Sequence, residues 1–363
     1  GIQGSVLTPG DSFEPNVFKG YFDMKDKQIL VTGGGGFLGK AIVKKLVALG
    51  SRVTSFSRQS YSDLDQLGVH QIQGDLRVES QVQEAVRGKD IVFHVAAKPG
   101  IWGPYQEYFS INVTGTSNVI SACFDQGVGQ LIYTSSPSVV FNGKDMEGVD
   151  ENVPYPDTYH APYPETKALA EKRVREASLK GLQTISLRPH LIWGPEDNHL
   201  VPGIISRAHR LKKVGRLDDL VDTIYVDNAA DAHVLASQGL DRDPSLSGNV
   251  YFISQDEPVS KWALANEFLK AANLPPIQGH ISEKGAILAG TLCEFFYRLF
   301  RIRKDPPMTV FVARELATSH WFDISRVKND LGYTPKVSIS EGLERLHQWL
   351  AHSGDQNEAH PGN

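Results

Sequence analysis

Hydrophobic residues along the chain occur in short runs that alternate with segments of helical periodicity. From residue 28 onward, the runs predict strands at 28–32, 52–56, 70–75, 90–97, 130–136 and 182–188. Between them, apolar positions three and four residues apart predict helices at 37–50, 79–88, 106–126 and 164–180. Solid apolar strands separated by helices are typical of a parallel sheet covered on both faces. The pattern therefore predicts an α/β fold with a doubly wound parallel sheet.

The chain changes character after residue 195. A basic stretch, SRAHRLKKVGR (206–216), is expected to be helical, and a largely helical region follows from 258 to 350. NVYFIS (249–254) is expected to return to the sheet as one more strand. The change in pattern predicts a smaller, mostly helical lobe beside the sheet.

The first 23 residues lack a continuous apolar run and precede Met24, which we expect to be near the natural start. The predicted division of the chain is a loosely ordered N-terminal extension at 1–23, a sheet domain at 24–200 to which 226–254 returns, a substrate lobe at 201–225 and 255–350, and a frayed polar tail at 351–363.

Composition excludes some classes of function. The 363 residues are 22% charged and carry a formal net charge of -5, so no basic surface for nucleic acid is predicted. The two cysteines, Cys123 and Cys293, lie far apart, and the 12 histidines form no paired-ligand motif. We therefore expect no metal site and a reducing, cytoplasmic location.

One apolar run, GAILAGTLCEFFYRLF (285–300), raises the question of membrane contact. Glu294 and Arg298 interrupt it, so it is not expected to span a bilayer. Basic residues follow it, and two interpretations stay open: a helix that covers a substrate pocket or dimer face, or a helix that lies on a membrane surface. The first is favoured because an apolar helical face usually packs in a core.

A glycine-rich loop, TGGGGFLG (32–39), joins the first predicted strand to the first predicted helix. Gly33 allows the positive φ of a tight turn, and amides at the N-terminus of the helix attract a pyrophosphate. Gly39 would let the helix lie close to the sheet. A glycine motif carries weight when a strand precedes it and a helix follows, so we predict a Rossmann-type dinucleotide site.

The second strand ends in VTSFSRQ (53–59), where a dinucleotide site often carries an acid. That acid, roughly 20 residues after the glycine loop, binds the ribose hydroxyls of NAD and repels a 2′-phosphate. Here Ser57 and Arg58 occupy the position. A hydroxyl and a planar guanidinium suit a phosphate monoester, although a solvated turn arginine is the alternative. We predict NADP(H) as the cofactor.

The motif YPETK (163–167) places Tyr163 and Lys167 on one helix face, about one turn apart, with Pro164 expected at the first helical position. A nearby ammonium lowers the pKa of a phenol, so that the hydroxyl can exchange a proton near neutral pH. TSS (134–136) ends a predicted strand, at the edge where ligands bind in such sheets. Ser136 is the predicted hydrogen-bond donor. Ser135 is the alternative, because the sequence does not fix the register of the strand end to within one residue.

Together with GDL (74–76) and HVAAK (94–98), these motifs resemble the extended short-chain dehydrogenases/reductases. Three longer segments resemble their 3β-hydroxysteroid dehydrogenase-like group, namely YTSSPSVVF (133–141), YPETKALAE (163–171) and ARELATSHWFDISRVKNDLGYTP (313–335). The resemblance implies a catalytic triad of Ser136, Tyr163 and Lys167. It also implies cofactor contacts from Gly33, Gly36, Phe37, Leu38, Gly39, Ser57, Arg58, Asp75, Leu76, Ala96, Ala97, Lys98, Tyr163, Lys167 and Pro189.

Other matching residues have weaker functional interpretations. Asn112 is expected to pack a helix. His190 has two open interpretations: it contacts the substrate or the cofactor, or it is a buried structural residue. The resemblance further implies a homodimer through the helices 106–126 and 164–180.

More narrowly, the sequence resembles the 2-alkyl-3-oxoalkanoate reductases of bacterial long-chain olefin biosynthesis. This implies NADP(H)-dependent reduction of the 3-keto group of a long-chain 2-alkyl-3-oxoalkanoic acid, with other enzymes of the same pathway as partners. Arg207, Arg216 and Arg314 are undistinguished candidates for binding the acid. The alternatives are a 3β-hydroxysteroid or sterol-4-carboxylate 3-dehydrogenase, a nucleotide-sugar epimerase or dehydratase, and a non-catalytic NADP-sensing regulator.

Overall fold

The computed structural model describes residues 24–358, with side chains described as far as residue 352. The predicted N-terminal extension and the last five residues of the predicted tail lie outside this range. In the described part, seven parallel strands form a central sheet with helices on both faces. The predicted doubly wound α/β fold is confirmed.

The strands of the described chain are β1 (Gln28–Thr32), β2 (Arg52–Ser57), β3 (His70–Gln73), β4 (Ile91–His94), β5 (Gln130–Thr134), β6 (Met146–Val149), β7 (Gln183–Pro189), β8 (Ile192–Trp193), β9 (Lys212–Val214), β10 (Leu220–Val221), β11 (Ile224–Tyr225), β12 (Asn249–Ile253), β13 (Val259–Ser260), β14 (Gly279–Ile281) and β15 (His320–Phe322). The central sheet has the order β12-β7-β5-β4-β1-β2-β3, and every neighbouring pair is parallel.

The helices are α1 (Phe37–Ala48), α2 (Ser62–Gln66), α3 (Glu79–Val86), α4 (Tyr105–Tyr108), α5 (Gly115–Gln126), α6 (Pro162–Ser178), α7 (Leu200–Ser206), α8 (Val226–Arg242), α9 (Lys261–Ala271), α10 (Glu283–Leu299), α11 (Val310–Leu316), α12 (Ser325–Leu331) and α13 (Ile339–Glu358). A π-helical segment, Phe109–Thr114, joins α4 to α5, so the predicted helix at 106–126 is one helical run.

Alternation along the central strands divides the core into two layers. On β1, Ile29 and Val31 pack with α1 and α8, whereas Leu30 faces the side covered by α3, α5 and α6. Because both faces are buried, every residue of β4 and β5 is buried, which explains their uninterrupted apolar runs. The helices therefore leave the carboxyl ends of the strands as the open edge of the sheet.

A second sheet, β13-β10-β15-β6, lies in the smaller lobe, together with the two-stranded pairs β8–β11 and β9–β14. Its strand β6 lies within 24–200, the range predicted for the sheet domain, but pairs with β15 near the other end of the chain. The domain boundaries drawn from the sequence stay predictions, and they place these two paired strands in different domains.

The structure corrects two local predictions. The basic stretch 206–216 is not helical: α7 ends at Ser206, and Lys212–Val214 forms β9. That stretch lacks an apolar stripe, so parallel pairing with β14 prevails. Helix α6 begins at Pro162 rather than Pro164, because Ala161 is extended and Pro162 takes the start of the helix.

Candidate functional site

The glycine loop lies at the carboxyl end of β1. Gly33 has φ of +70°, and its amide donates to the Phe56 carbonyl at 2.8 Å, which ties the loop to β2. A Cβ at Gly39 would lie 2.0 Å from the Gly33 carbonyl oxygen, so only glycine lets α1 approach the loop this closely. The first amides of α1, from Phe37 onward, have no partner within the helix and point toward the loop, as a bound pyrophosphate requires.

The end of β2 carries a side-chain hydroxyl that has no hydrogen-bond partner, at the predicted 2′-phosphate site. The Ser57 hydroxyl oxygen is buried and has no partner among the described residues, whereas Arg58 is exposed. A buried hydroxyl without a partner is costly unless a ligand satisfies it. The nearby Asp75 accepts hydrogen bonds from the Arg77 guanidinium at 2.6–3.1 Å, which lowers the pKa of Asp75 and compensates its charge.

The remaining predicted cofactor residues surround the same edge. Leu76 is buried against Gly115, and Ala96 lies against Gly33. The Lys98 amide donates to the Asn112 side chain at 2.7 Å, and the Asn112 amide nitrogen reaches the Thr166 hydroxyl at 3.0 Å. Asn112 thus ties the turn after β4 to helix α6, in agreement with the packing role expected for it. Ala97 follows Ala96 in this turn, and Pro189 ends β7, which β5 separates from β4 in the sheet order.

Ser136 and Tyr163 meet at the carboxyl end of β5. Ser136 caps a short 3-10 helix at Pro137–Val140, where its side chain accepts from the Ser138 amide at 3.2 Å. The Ser136 hydroxyl lies near the Tyr163 phenol and acts on its pKa. Ser135 is instead buried beside the Glu171 carboxylate. Of the two serines that the register left open, the structure brings Ser136 to the tyrosine.

The ionisation of Tyr163 differs from the expectation. Burial raises the pKa of Tyr163, the neighbouring Ser136 hydroxyl opposes this rise, and the Glu315 carboxylate adds to it. We expected the Lys167 ammonium to lower this pKa, but Lys167 Nζ donates to the Thr134 carbonyl at 2.6 Å and lies over the Tyr133 ring. A raised pKa keeps the phenol protonated at neutral pH, but it also makes the phenol a weaker acid than a group whose pKa lies near that pH.

Lys167 is held in a nearly dry environment. Its side chain is 2% exposed, and burial lowers the pKa of Lys167 to about 7, while the Glu171 charge opposes this. Glu171 lies one helical turn further along α6 and is paired with Arg188 through hydrogen bonds of 2.6 and 3.0 Å. Burial alone would raise the pKa of Glu171, but the Arg188 guanidinium outweighs it and the pKa is lowered.

A cavity of about 340 Å³ opens beside the start of α6. The residues lining it share a place between the loop after β4, the start of α6 and the smaller lobe; they are Ile101, Trp102, Gly103, Pro104, His160, Pro162, Glu294, Tyr297, Arg298, Arg301, Ile302, Arg303, Thr309 and Phe311. Its wall therefore combines apolar side chains with three arginines and one glutamate.

Three polar residues near the site were missed by the sequence analysis. Glu315 lies near Tyr163, and burial raises the pKa of Glu315 to about 7. Lys261 Nζ donates to the carbonyls at the end of α11 and fixes that helix. His160, three residues before Tyr163, was the one that proximity in the sequence could have indicated. The other two come from distant segments, and no spacing rule connects them to the motif.

His190 is buried and stacks on His320 with ring centroids 5.7 Å apart; burial lowers the pKa of His190 to about 3. Both rings therefore remain neutral and pack in the core. Within residues 24–352, no group of three or more His, Cys, Asp or Glu side chains is arranged to hold a metal ion. No helix in the described part of the chain has both the length and the apolar character to cross a bilayer.

Comparisons with known proteins agree with the motifs. The model of the 3-beta hydroxysteroid dehydrogenase/isomerase family matches residues 30–280. A 2-alkyl-3-oxoalkanoate reductase of Shewanella oneidensis is 48% identical over 332 residues, which cover 89% of this chain and 86% of the relative. A decarboxylating sterol-4-alpha-carboxylate 3-dehydrogenase of Saccharomyces cerevisiae is 34% identical and covers 90% of this chain and 98% of the relative.

Among solved structures, a UDP-glucuronic acid 4-epimerase from Bacillus cereus, in complex with NAD, superposes with a TM-score of 0.70. It is 21% identical in sequence and covers 90% of this chain and 99% of that chain. At this identity the likeness concerns the fold alone.

Proposed function

Since the chain belongs to the 3-beta hydroxysteroid dehydrogenase/isomerase family, we propose that it uses NADP(H) to reduce the 3-keto group of a long-chain 2-alkyl-3-oxoalkanoic acid to the 3-hydroxy acid. The observation that carries the proposal is the proximity of the Ser136 and Tyr163 side chains to each other, beside a cavity lined by apolar and cationic side chains. The likeness to 2-alkyl-3-oxoalkanoate reductase over most of the chain supports the choice of substrate. The product of such a reaction would enter olefin biosynthesis.

The residues present fit the cofactor. Its pyrophosphate would be held by Gly33, Gly36 and the first amides of α1, at Phe37, Leu38 and Gly39. Its 2′-phosphate would be bound by Ser57 and Arg58, and its adenine by Asp75 and Leu76. Its second ribose would be contacted by Ala96, Ala97, Lys98 and Lys167, and its carboxamide by Pro189. When bound, the reduced nicotinamide supplies a hydride to the ketone carbon. The protein's own residues then protonate and stabilise the oxygen of the former ketone.

Tyr163 acts as the general acid in this proposal. Its phenol donates the proton that neutralises the alkoxide, and Ser136 donates a hydrogen bond to the same oxygen. Lys167 is a positioning residue, because its ammonium is held by the Thr134 carbonyl at the base of the crevice. The raised pKa of Tyr163 keeps the phenol protonated, and a general acid needs this proton before the transfer.

The three arginines proposed for the carboxylate differ in the structure. Arg207 is exposed, and Arg216 is paired with Asp145 and Asp219. Arg314 forms no ion pair within the described residues, its Nε is buried without a partner, and its Nη1 donates to His160 Nε2 at 3.1 Å. Because His160 lines the cavity, Arg314 is the cation that we assign to the carboxylate.

The central experiment measures NADPH oxidation with a long-chain 2-alkyl-3-ketoacid and NAD⁺ reduction with a 3β-hydroxysteroid. Tyr163→Phe is expected to abolish ketoacid turnover and to keep cofactor binding. The matched control is Tyr159→Phe, since Tyr159 donates only to the Val139 carbonyl. Full activity of Tyr163→Phe would refute the acid role. Turnover of the steroid alone would favour the sterol dehydrogenase that the yeast relative suggests. Binding without any turnover would favour a regulator.

The assigned carboxylate contact is tested separately. Arg314→Gln should raise KM for the ketoacid about tenfold or more and leave KM for the corresponding ketone, which lacks the carboxylate, unchanged. Arg207→Gln is the control. An equal change for both substrates would contradict the assignment.

We also propose a cytoplasmic homodimer that contacts other enzymes of the same pathway. Exposed apolar side chains at the ends of α5 and α6, Phe124 and Leu179, support a dimer through these helices. Cys123 and Cys293 are free thiols, which suits a reducing compartment. Light scattering tests the mass, and Leu179→Glu should convert a dimer to a monomer.

A further inference from the structure

Helix α10 exposes an unusual concentration of apolar side chains. Of the fifteen large apolar side chains exposed among the described residues, seven lie between 288 and 302: Leu288, Leu292, Phe295, Phe296, Leu299, Phe300 and Ile302. Leu288, Leu292, Phe295 and Leu299 follow helical spacing, so they form one stripe along α10. We call these seven residues the α10 stripe. An exposed apolar patch of this kind marks an interaction site on a folded protein.

The opposite face of α10 is fixed to the protein, which orients the stripe outward. A Cβ at Gly290 would lie 2.6 Å from the Thr309 carbonyl carbon, so the helix crosses that backbone in close contact. Glu294 Oε1 accepts from the Val310 amide at 2.8 Å, and Ala286 is fully buried. The α10 stripe is therefore the outer face of a helix whose inner face is packed against the protein.

The charge beside the stripe is positive. The ten residues FFYRLFRIRK (295–304) contain four cations and no acid, in a chain whose formal net charge is -5. Arg301, Arg303 and Lys304 are exposed. An apolar helical face with cations at its end is the arrangement of helices that lie in the interface of an anionic bilayer.

The stripe also adjoins the candidate active site. Tyr297, Arg298 and Ile302 line the cavity, and Trp102 Nε1 donates to the Ile302 carbonyl at 3.2 Å, so the end of α10 forms part of the cavity wall. We propose that the α10 stripe docks on an anionic phospholipid surface, with α10 parallel to the bilayer and the cavity at the contact. The docking does not depend on the proposed reaction. Only its use, the uptake of a long-chain substrate from the bilayer, rests on that function.

The test is co-sedimentation of the full chain, without substrate, with vesicles of phosphatidylglycerol and phosphatidylethanolamine in equal parts and with vesicles of phosphatidylcholine. We expect binding to the anionic vesicles, with affinity at least about tenfold lower for phosphatidylcholine or in high salt. Leu288→Gln/Phe295→Gln/Leu299→Gln should abolish binding, since each of these side chains is about 60% exposed and none lines the cavity. The matched control is Leu217→Gln, because Leu217 is an exposed leucine outside the α10 stripe.

The stripe variant should keep its unfolding temperature and its turnover of a short, water-soluble ketoacid, and lose turnover of a long-chain ketoacid presented in vesicles. Equal vesicle binding by the variant and the wild type would overturn the proposal. So would equal affinity for the neutral vesicles. A doubled mass in solution that the stripe variant abolishes, without vesicle binding, would assign the stripe to a second copy of this chain instead. If the chain docks on vesicles but turns over no ketoacid, the proposed reaction fails and the docking stands.

Discussion

Arg58→Ala is the sharpest perturbation of cofactor choice. Arg58 follows the last residue of β2, beside the buried Ser57 hydroxyl that lacks a partner. A hydrogen bond to a charged group contributes about 1.5–3 kcal/mol, but exposure of Arg58 places the loss at the lower end. We expect about 2 kcal/mol, or roughly a 30-fold fall in kcat/KM for NADPH. The value for NADH should not change.

The assay compares initial rates with NADPH and NADH at one ionic strength, because screening weakens the contact with a phosphate. Arg52→Ala is the matched control, since Arg52 is exposed at the other end of the same strand. Arg58→Asp should lower NADPH use further and favour NADH, because a carboxylate repels the 2′-phosphate and accepts from ribose hydroxyls. Unchanged NADPH kinetics in Arg58→Ala, or an equal loss with NADH, would refute the assignment.

Three other perturbations test the site and its support. Gly39→Ala should lower NADPH affinity in a fluorescence titration by about tenfold or more, because its Cβ meets the Gly33 carbonyl, whereas Gly203→Ala meets no atom within 4 Å. Glu171→Ala should lower the free energy of unfolding by about 3–5 kcal/mol in denaturant unfolding, since it leaves a buried guanidinium unpaired. The double variant Glu171→Leu/Arg188→Met should recover most of this loss. If the losses of the two single substitutions add up in the double variant, the pairing is contradicted. Lys167 has a pKa of about 7 when folded and 10.5 as a free side chain, so the unfolded chain binds the extra proton between these values. The free energy of unfolding should therefore rise with pH across that window, by up to about 1.4 kcal/mol per pH unit, relative to that of Lys167→Met. If the free energies of unfolding of the two proteins follow parallel curves against pH, this prediction is contradicted.

Features that depend on neighbours in sequence were predictable. The glycine loop and the Tyr163–Lys167 spacing each lie within one strand-turn-helix unit or one helix, so periodicity and residue type were enough to find them. The direction of the Tyr163 pKa was not predictable. It depends on burial and on Glu315, which approaches from about 150 residues away along the chain and, like all such long-range contacts, leaves no periodic signal.

The same limit explains the errors in local structure. The stretch 206–216 has cations at intervals that suit a helix, but its conformation is decided by pairing with residues 279–281. Propensity yields to such tertiary pairing when a segment has no apolar stripe of its own. At the start of α6, both Pro162 and Pro164 suit a first turn, and only the extended backbone of Ala161 distinguishes them.

The second sheet has a consequence for protein engineering. Its four strands come from residues near 147, 220, 260 and 321, so any contiguous fragment that contains it also contains α6 and β7 of the central fold. A substrate lobe of this kind cannot be exchanged as one contiguous segment. Replacing residues 201–350 with those of a relative would leave β6 in place, paired with a β15 from the relative. Specificity in this scaffold must therefore be redesigned by substitutions in the cavity wall, or by grafts that carry β6 together with the strands that follow it.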